Sequence, residues 1–508
     1  MPLPAMRDYE DGLRLSRAGR HAEAIGCFER ALQHSPDDSK VLFALGNTAR
    51  SLGLPRPAED FYRRVLAIDP QRMEALVNLA NLLRGNGQFA AAAAVLEPAL
   101  ARNPDSPELW LTLGSVCREA GDKAKAAEHY AKALDLRPDY PAALVNLADL
   151  LAERGECEDA LALYDRAIKR DPHNAQAKLN RAILHLQEGN LAQGWRDYAA
   201  RLKIPGKAPT CDHKLPRWNG ASLKRARLLV TAEQGVGDEL MFASVIPDLA
   251  RRAGEEGGSL VLECDARLVP LFARSFPGVT VKPTDRTTQD GKVVSRFGWL
   301  RSAGGANAAI EAGSVPQFLR SGLQSFPDPH AYLVRDAEDA ARWRETLTSA
   351  GPAPLIGICW RSGKIGGARN VQYAPLEIWG NSLRDLPGTI VCAQYDAAAA
   401  EIGALESASG RTILVPDRLD QKNELDRTCA MLAALDVVVS APTAVSWLAA
   451  GAGVPTLKVL YDTSWTSFGQ DREPFAPSCR LMMPARAGDW ADVFAKTSAE
   501  IRALPARP

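Results

Sequence analysis

The order of apolar, small and polar positions repeats along the first two hundred residues. Prolines fall at 36, 70, 104, 138 and 172 and glycines at 19, 53, 87, 121, 155 and 189, so both series step by 34 residues. In the same phase stand small residues (Ala24, Ala58, Ala92, Ala126, Ala160) followed by a bulky ring (Phe28, Tyr62, Tyr130, Tyr164, Tyr198), with Leu96 replacing the ring once. The pattern predicts a helix, a glycine turn, a second helix and a proline stop. The small residue sits where two helices approach closely, and the ring fills the gap. Five full units run from about 5 to 174, and a sixth, in which Gly194 takes the place of the small alanine, runs to about 205. A helical pair of this kind cannot bury its apolar face alone, so neighbours stack into a superhelix whose concave side is lined by the first helix of each unit.

A segment without period, KIPGKAPTCDHKLPRWNGASLKR (203–225), follows and predicts an irregular connector. Beyond it, short β-type runs alternate with longer amphipathic segments. ARLLVTA, SLVLEC and VTVKP, with helices from about 238 and about 266, predict a βαβαβ half with a parallel sheet. After FPDPHAYLV a second series begins. It comprises a helix near 337–348, strands PLIGICW and TIVCAQ, a helix to about 408, TILVP, a helix to about 434, DVVVS, a helix, TLKVL, and a last helix near 490–503. The expected organisation is a helical repeat array over 1–205, a linker over 206–225, and Rossmann-like halves over 226–328 and 329–508, with a ligand cleft between the halves.

Charge and composition narrow the function. Lys plus Arg and Asp plus Glu both total 61, so counterion release gives no drive toward nucleic acid. Nine scattered cysteines without a CxxC spacing argue against a disulfide framework or a structural zinc site and predict a reducing cytoplasm. The start, MPLPAMRDYEDGL, has acidic residues where a signal peptide carries a basic region, and no apolar run reaches the roughly 18 residues of a membrane span. A soluble, unexported protein with no membrane span is expected.

Three turns at strand ends carry candidate chemistry. TAEQGVGDEL (231–240) puts Gln234, Gly235, Gly237 and Asp238 at the carboxyl edge of the first sheet, where two glycines let a ligand approach the backbone. The missing third glycine excludes a dinucleotide fingerprint. Asp238 or Glu239 either simply complements the helix dipole or serves as general base toward an acceptor hydroxyl. GICWRSGKIGGARN (357–370) gathers Arg361, Ser362, Lys364 and Arg369 among glycines after a buried strand, either a solvated loop or a phosphate clamp. In DVVVSAPTAVSWLAAGAG, Thr443 caps a helix whose free N–H groups face the same cleft, with Ser446 one turn in. Only His213 and His330 lie outside the repeats, which disfavours a Ser/His/Asp hydrolase, and the CDH at 211–213 is read as neither metal site nor nucleophile.

On the first helices of the repeats Asn78, Asn146 and Asn180 share one phase, with Thr112 between them, and Asn47 and Asn81 share the phase one turn on. They are either solvated polar residues or a ladder of amides gripping an extended acceptor peptide.

The period of 34 and its Ala/ring phase resemble the tetratricopeptide repeat family, and the asparagines resemble those in the array of protein O-GlcNAc transferases. EQGVGDELMFASVIPDL, VLECDARLVPLF, GICWRSG and LDVVVSAPTAVSWLAAGAGVP, in that order, resemble the heptosyltransferase-type GT-B glycosyltransferases, particularly those fused to tetratricopeptide repeats. That resemblance implies an α-solenoid followed by a GT-B α/β region, with an acceptor-side first half, a nucleotide-sugar-binding second half and metal-independent transfer. It matches Asp238 to the catalytic aspartate of a GxGD turn. Trp360, Arg361, Ser362, Lys364, Arg369, Thr443, Ser446 and Trp447 then fall on the donor side. Pro442 and Trp447 stand where that family usually carries an acid and a histidine, which speaks against an ADP-heptose donor. The form SAPTAVSWLAAGAGVPTLKVLYDTSW is closer to repeat-bearing bacterial flagellin glycosyltransferases, which use a CMP-linked nonulosonic acid such as pseudaminic acid. The expected function is transfer of a sugar from a nucleotide sugar, without further cofactor, to Ser or Thr of an acceptor protein such as flagellin held by the repeats. A glycan- or lipid-directed transferase whose repeats recruit an assembly partner, and a non-catalytic scaffold with a degenerate GT-B body, are the alternatives.

Overall fold

The computed structural model of the protein describes residues 3–206, 208–289, 291–327, 330–363 and 371–504. These fall into two compact units, residues 1–177 and 178–508. Among the described residues no helix is long and apolar enough to cross a membrane.

The first unit is a solenoid of antiparallel helix pairs, from Leu3–Arg17 and His21–His34 to Pro141–Glu153 and Cys157–Arg170. The glycine of each turn has φ between 70° and 94°, a left-handed conformation that strains any residue with a Cβ. That requirement is the reason for the glycine ladder. Ala24, Ala58, Ala92, Ala126 and Ala160 are fully buried, and so are Phe28, Tyr62, Leu96 and Tyr130. What each ring packs on is a second small residue, on the facing helix. A Cβ at Gly12, Gly46 or Gly114 would stand 2.5–2.6 Å from the ring of Phe28, Tyr62 or Tyr130. Where Leu96 replaces the ring, the corresponding position holds Ala80, also fully buried. In the same register a fully buried alanine, Ala148, stands with the ring of Tyr164, so this position is small in every unit. Gly46→Ala is therefore expected to cost about 1–3 kcal/mol through overpacking. Gly85→Ala, where an added Cβ meets nothing within 4 Å, should be neutral or gain up to about 1 kcal/mol from helix propensity. Urea unfolding of the two variants checks both.

The second unit begins within the helix Ala175–Gln187, takes in the helix Leu191–Tyr198 and continues into α/β structure. Its strands are β1 (Thr210–Cys211), β2 (Arg227–Thr231), β3 (Ser259–Cys264), β4 (Thr280–Pro283), β5 (Arg286–Gln289), β6 (Lys292–Ser295), β7 (Ala308–Glu311), β8 (Leu355–Cys359), β9 (Thr389–Cys392), β10 (Ile413–Leu414), β11 (Val437–Ser440), β12 (Thr456–Val459), β13 (Arg472–Glu473) and β14 (Ala476–Met482). A four-stranded parallel sheet has the order β4-β3-β2-β7, and a seven-stranded sheet has the order β10-β9-β8-β11-β12-β14-β13. All pairs in the larger sheet are parallel except β13 with β14. Strands β8, β11 and β12 are buried along their whole length, as expected of a sheet covered on both faces.

Three features were absent from the sequence pattern. The helix Leu376–Leu383 joins β8 to its parallel neighbour β9, a connection that requires a crossover element. Strand β7 and the small sheet β1-β6-β5 are built from runs of two to four residues, too short to register as alternation. Strand β14 extends the large sheet beyond β12.

The repeat pattern runs past the point where the compact units divide. In the sixth repeat the second helix, Leu191–Tyr198, is only eight residues long. Its Trp195 Nε1 donates to the carbonyl of Arg320 (2.9 Å) and its ring stands edge-on to Phe468 at 5.7 Å. Tyr198 stacks near Trp465 at 5.4 Å. This helix has become part of the α/β core.

Candidate functional site

The two sheets each deliver a strand end and a helix start to one place. After β2 the chain turns through Ala232–Gly235 into the helix Val236–Ala243, and after β11 it turns through Ala441–Thr443 into the helix Ala444–Gly451. A Cβ on Gly237 would lie 3.7 Å from Ala444 Cα. The glycine thus lets the two helix starts approach to ordinary contact distance. Gln234, Gly237 and Asp238 are partly exposed there, and Gly235 is exposed.

Asp238 accepts a hydrogen bond from the N–H of Gly235 at 3.3 Å. Burial, reinforced by the Glu233 carboxylate, raises its pKa above the usual range, and the N–H of Gly235 opposes that rise. Glu239 points away from the turn's surface. It is buried, and its Oε2 accepts from the N–H of Asp265 at 2.7 Å. Glu263, at the end of β3, likewise accepts from Ala232 N–H at 3.1 Å, while its Oε1 has no hydrogen-bond partner. Two buried carboxylates therefore lace the β2 turn to the β3 turn, and Arg286 adds a bond to the Ala232 carbonyl at 2.8 Å.

Burial pushes Glu239 and Glu263 each up to about 7. In the unfolded chain both titrate near 4.5, so between the two values the folded form binds more protons. Their stabilising contribution is complete below about 4.5 and is lost as pH rises through about 7. Stability should fall by up to about 1.4 kcal/mol per pH unit per group between about pH 5 and 7. Glu239→Gln and Glu263→Gln should each flatten that slope in thermal unfolding measured across this range. Unchanged slopes would rule out this account of the two carboxyls.

Behind the same turn Glu233 is held by Arg201, from the 3-10 turn that follows Tyr198. Nε and Nη2 of Arg201 reach the two Glu233 oxygens at 2.8 and 2.6 Å, and both side chains are under 5% exposed. Glu233 Oε1 also accepts from Gly313 N–H at 2.8 Å, and Arg201 Nη2 donates to Ser314 at 2.8 Å. The Tyr198 phenol lies by Gln234, close enough to Asp238 and Glu233 to feel their charge, and burial raises its pKa. Sequence reasoning passed over Arg201 and Glu233. Their only signal was a charged residue at each end of a segment otherwise read as repeat and as strand.

On the other side, the turn after β8 is shaped by the tripeptide Gln394–Tyr395–Asp396 after β9. Gln394 is buried. Its Oε1 accepts from the N–H groups of Trp360 (3.1 Å) and Arg361 (3.0 Å), and its amide donates to Asp396 at 2.8 Å. The Tyr395 hydroxyl meets Ser362 Oγ at 3.4 Å and accepts from Gly363 N–H. Arg361 is bound to Glu401 (2.5 and 2.7 Å) and Asp396 (2.9 Å). As a phosphate clamp it would have to leave two carboxylates. Its charge is compensated within the fold, and its hydrogen bond to Glu401 raises its pKa. Lys364 and Arg369 lie outside the described residues.

Three of the expected donor-side residues are turned inward. The Trp360 side chain is buried in the core with Trp379 and Phe494 packed nearby, because it follows directly on a fully buried strand. Ser446 is fully buried and donates to the Thr443 carbonyl at 2.8 Å. Trp447 is buried under Lys458, whose Nζ stands 3.7 Å from the ring centroid and 2.6 Å from Glu473. Trp447 thus anchors the helix to the sheet. Thr443 caps the helix, accepting from Val445 N–H at 3.3 Å, and touches Cys359 Sγ at 3.5 Å. Pro442 remains partly exposed at the turn.

In the first unit the asparagines are partly joined to one another. Asn47 Oδ1 accepts from Asn78 Nδ2 at 2.9 Å and from the Tyr62 hydroxyl at 2.7 Å. Asn146 donates to Ser115 at 3.4 Å. Asn81 is partly exposed on the same unit, and Asn180 belongs to the second unit. The linker residues of the CDH triplet hold backbone. Asp212 accepts from Phe297 N–H at 2.9 Å and His213 Nδ1 from Leu215 N–H at 3.3 Å. Among the described residues no group of three or more His, Cys, Asp or Glu is arranged to hold a metal ion.

The fold is thus a helical repeat solenoid followed by an α/β region with parallel sheets. The repeats are tetratricopeptide repeats. Residues 9–72, 77–141 and 145–209 match one tetratricopeptide repeat family, and residues 118–167 match a second. Over 317 residues the chain is 32% identical to Protein FlbA of Caulobacter vibrioides, a match that covers 62% of this chain and 53% of that protein. The chain therefore spans about half the length of this curated relative. Among solved structures, a thermophilic TPR protein of Thermus thermophilus is 29% identical, covering 36% of this chain and 99% of its own, with a TM-score of 0.32. PilW, a type IV pilus biogenesis factor, is 19% identical and covers 40% of this chain and 93% of its own, with a TM-score of 0.34.

Proposed function

We propose that the chain is a GT-B-type protein O-glycosyltransferase. It moves a sugar from a nucleotide-sugar donor to a Ser or Thr hydroxyl of an acceptor protein engaged by the tetratricopeptide repeats. The observation that carries this reading is the meeting of two helix starts, each at the carboxyl end of a parallel strand, with Gly237 against Ala444. One start bears a partly exposed carboxylate, Asp238. The other presents N–H groups capped by a neutral hydroxyl, Thr443. A carboxylate on one wall takes the proton of an attacking hydroxyl, while the positive end of the helix dipole on the other favours the negative charge of a departing nucleotide. The asparagines of the repeats supply amides for an acceptor backbone, with Asn47 and Asn78 acting as a linked pair.

Among the described residues, the donor side offers backbone and neutral hydroxyls around the Gln394–Tyr395–Asp396 cradle, with Arg361 already compensated. That arrangement suits a donor with a single phosphate, such as a CMP-linked nonulosonic acid, better than a diphosphate donor. The test is intact-mass analysis of acceptor proteins, flagellin first, incubated with the chain and CMP- or UDP-linked sugars. A mass increase of one sugar residue is expected with a CMP-linked donor. A nucleotide panel in thermal unfolding separates the non-catalytic alternative, since a ligand at a hundred times its dissociation constant stabilises by about 2.7 kcal/mol. No shift with any nucleotide would favour a scaffold.

A further inference from the structure

We propose that a cavity at the carboxyl ends of β2 and β7, lined by the start of the Asp238 turn but not by Asp238 itself, binds one uncharged polyhydroxyl ring of monosaccharide size. The cavity has a volume of about 230 Å³ and is partly walled by linker residues that include Pro209 and Leu215. Nothing in the Asp238 reading requires it, and it stands whether or not the chain transfers sugars.

The ligand class follows from the charge and hydrogen-bond balance of the walls. Glu233 lines the cavity with its side chain 4% exposed, and Arg201 already neutralises it. Glu311 also lines it and is neutralised by Arg217, whose Nε and Nη2 both reach Oε2 at 3.0 and 2.9 Å. A charged ligand would therefore meet no uncompensated partner, and burying its charge would be costly. Ionised carboxylates only accept hydrogen bonds, with about four acceptor positions each. Glu233 has three occupied, by Arg201 twice and Gly313 once, and Arg217 leaves Oε1 of Glu311 untouched. The ligand must bring donors. Leu215 and Ile310 add aliphatic wall that suits C–H faces. Uncharged, rich in donors, with C–H faces and compact enough for this volume: these properties together describe a single sugar or cyclitol ring.

Ligand-observed NMR and calorimetry on the full chain test this with glucose, N-acetylglucosamine and myo-inositol as probes, and putrescine and acetate as charged controls. At least one neutral ring should bind with a dissociation constant of roughly millimolar or tighter, and neither control should displace it. Ala208→Phe, at a partly exposed linker position on the cavity wall, fills the space and should weaken binding at least roughly tenfold. Glu311→Gln removes acceptor strength and should also weaken it. Both variants should keep the unfolding midpoint of the parent. The proposal is overturned if none of the three rings binds at about 10 mM, if binding survives both variants, or if putrescine competes. Loss of donor-dependent transfer with ring binding intact would instead count against the transferase reading alone.

Discussion

Asp238→Asn is expected to lower transfer to the acceptor protein by roughly 10²–10⁴-fold while leaving nucleotide and acceptor binding in place. The expectation rests on the Asp238 carboxylate being partly exposed at the meeting of the two helix starts. Burial and Glu233 raise its pKa, which makes it a stronger base than a free aspartate. Asparagine preserves the shape and can still accept from Gly235 N–H, so the turn keeps its cap and only the basicity is lost. Glu239→Gln is the matched control. Its carboxyl is buried and turned to the N–H of Asp265, so it should alter the pH dependence of stability and leave most of the transfer rate. Turnover retained in Asp238→Asn, with loss in Glu239→Gln, would reverse the assignment.

Removing the cation under the turn should be strongly destabilising. Arg201→Met leaves Glu233 buried with a charge and without its two strongest bonds, a loss on the order of 3–5 kcal/mol. Glu233→Gln strands Arg201 in the same way. The double change to Arg201→Met with Glu233→Gln should recover part of the loss, because neither charge is then left alone. A coupling energy near zero in the double-mutant cycle would mean the two side chains act independently. Chemical denaturation of the full chain reads all three. Since Glu233 sits two residues past β2 and Asp238 opens the next helix, the same substitutions should also reduce transfer.

The repeats were legible because their geometry imposes a residue type at fixed intervals. A left-handed turn demands glycine, and a ring facing a glycine or alanine demands a small neighbour. The strands β2, β3, β8, β11 and β12 were legible because they are largely buried and read as near-continuous apolar runs. Strand β7 and the β1-β6-β5 sheet escaped because they span two to four residues, and β7 and β1 owe their pairing to partners distant in sequence. At the site, the positions of Asp238 and Thr443 followed from strand-turn-helix order. The orientations of Trp360, Ser446 and Trp447 did not, since which side of a helix start faces the core depends on Lys458, Glu473 and the sheet beneath. Gln394, Tyr395 and Asp396 carry no motif. Their role comes from lying at the end of the strand beside β8, an adjacency known only once the strand order is.

The incorporation of Leu191–Tyr198 into the α/β core bears on how such a chain can be recombined. Trp195, Tyr198 and Arg201 belong by sequence to the repeats and by packing to the sheets. A graft that joins a foreign array at the end of the repeat pattern, near 205, would carry away the cation of a buried pair and two rings of the core. A junction before Lys178 keeps them. The sixth repeat has thus ceased to be an interchangeable part. Gain or loss of repeats over evolutionary time is open upstream of it and closed at it, so lineages with longer or shorter arrays should differ in the units before the sixth and retain this one.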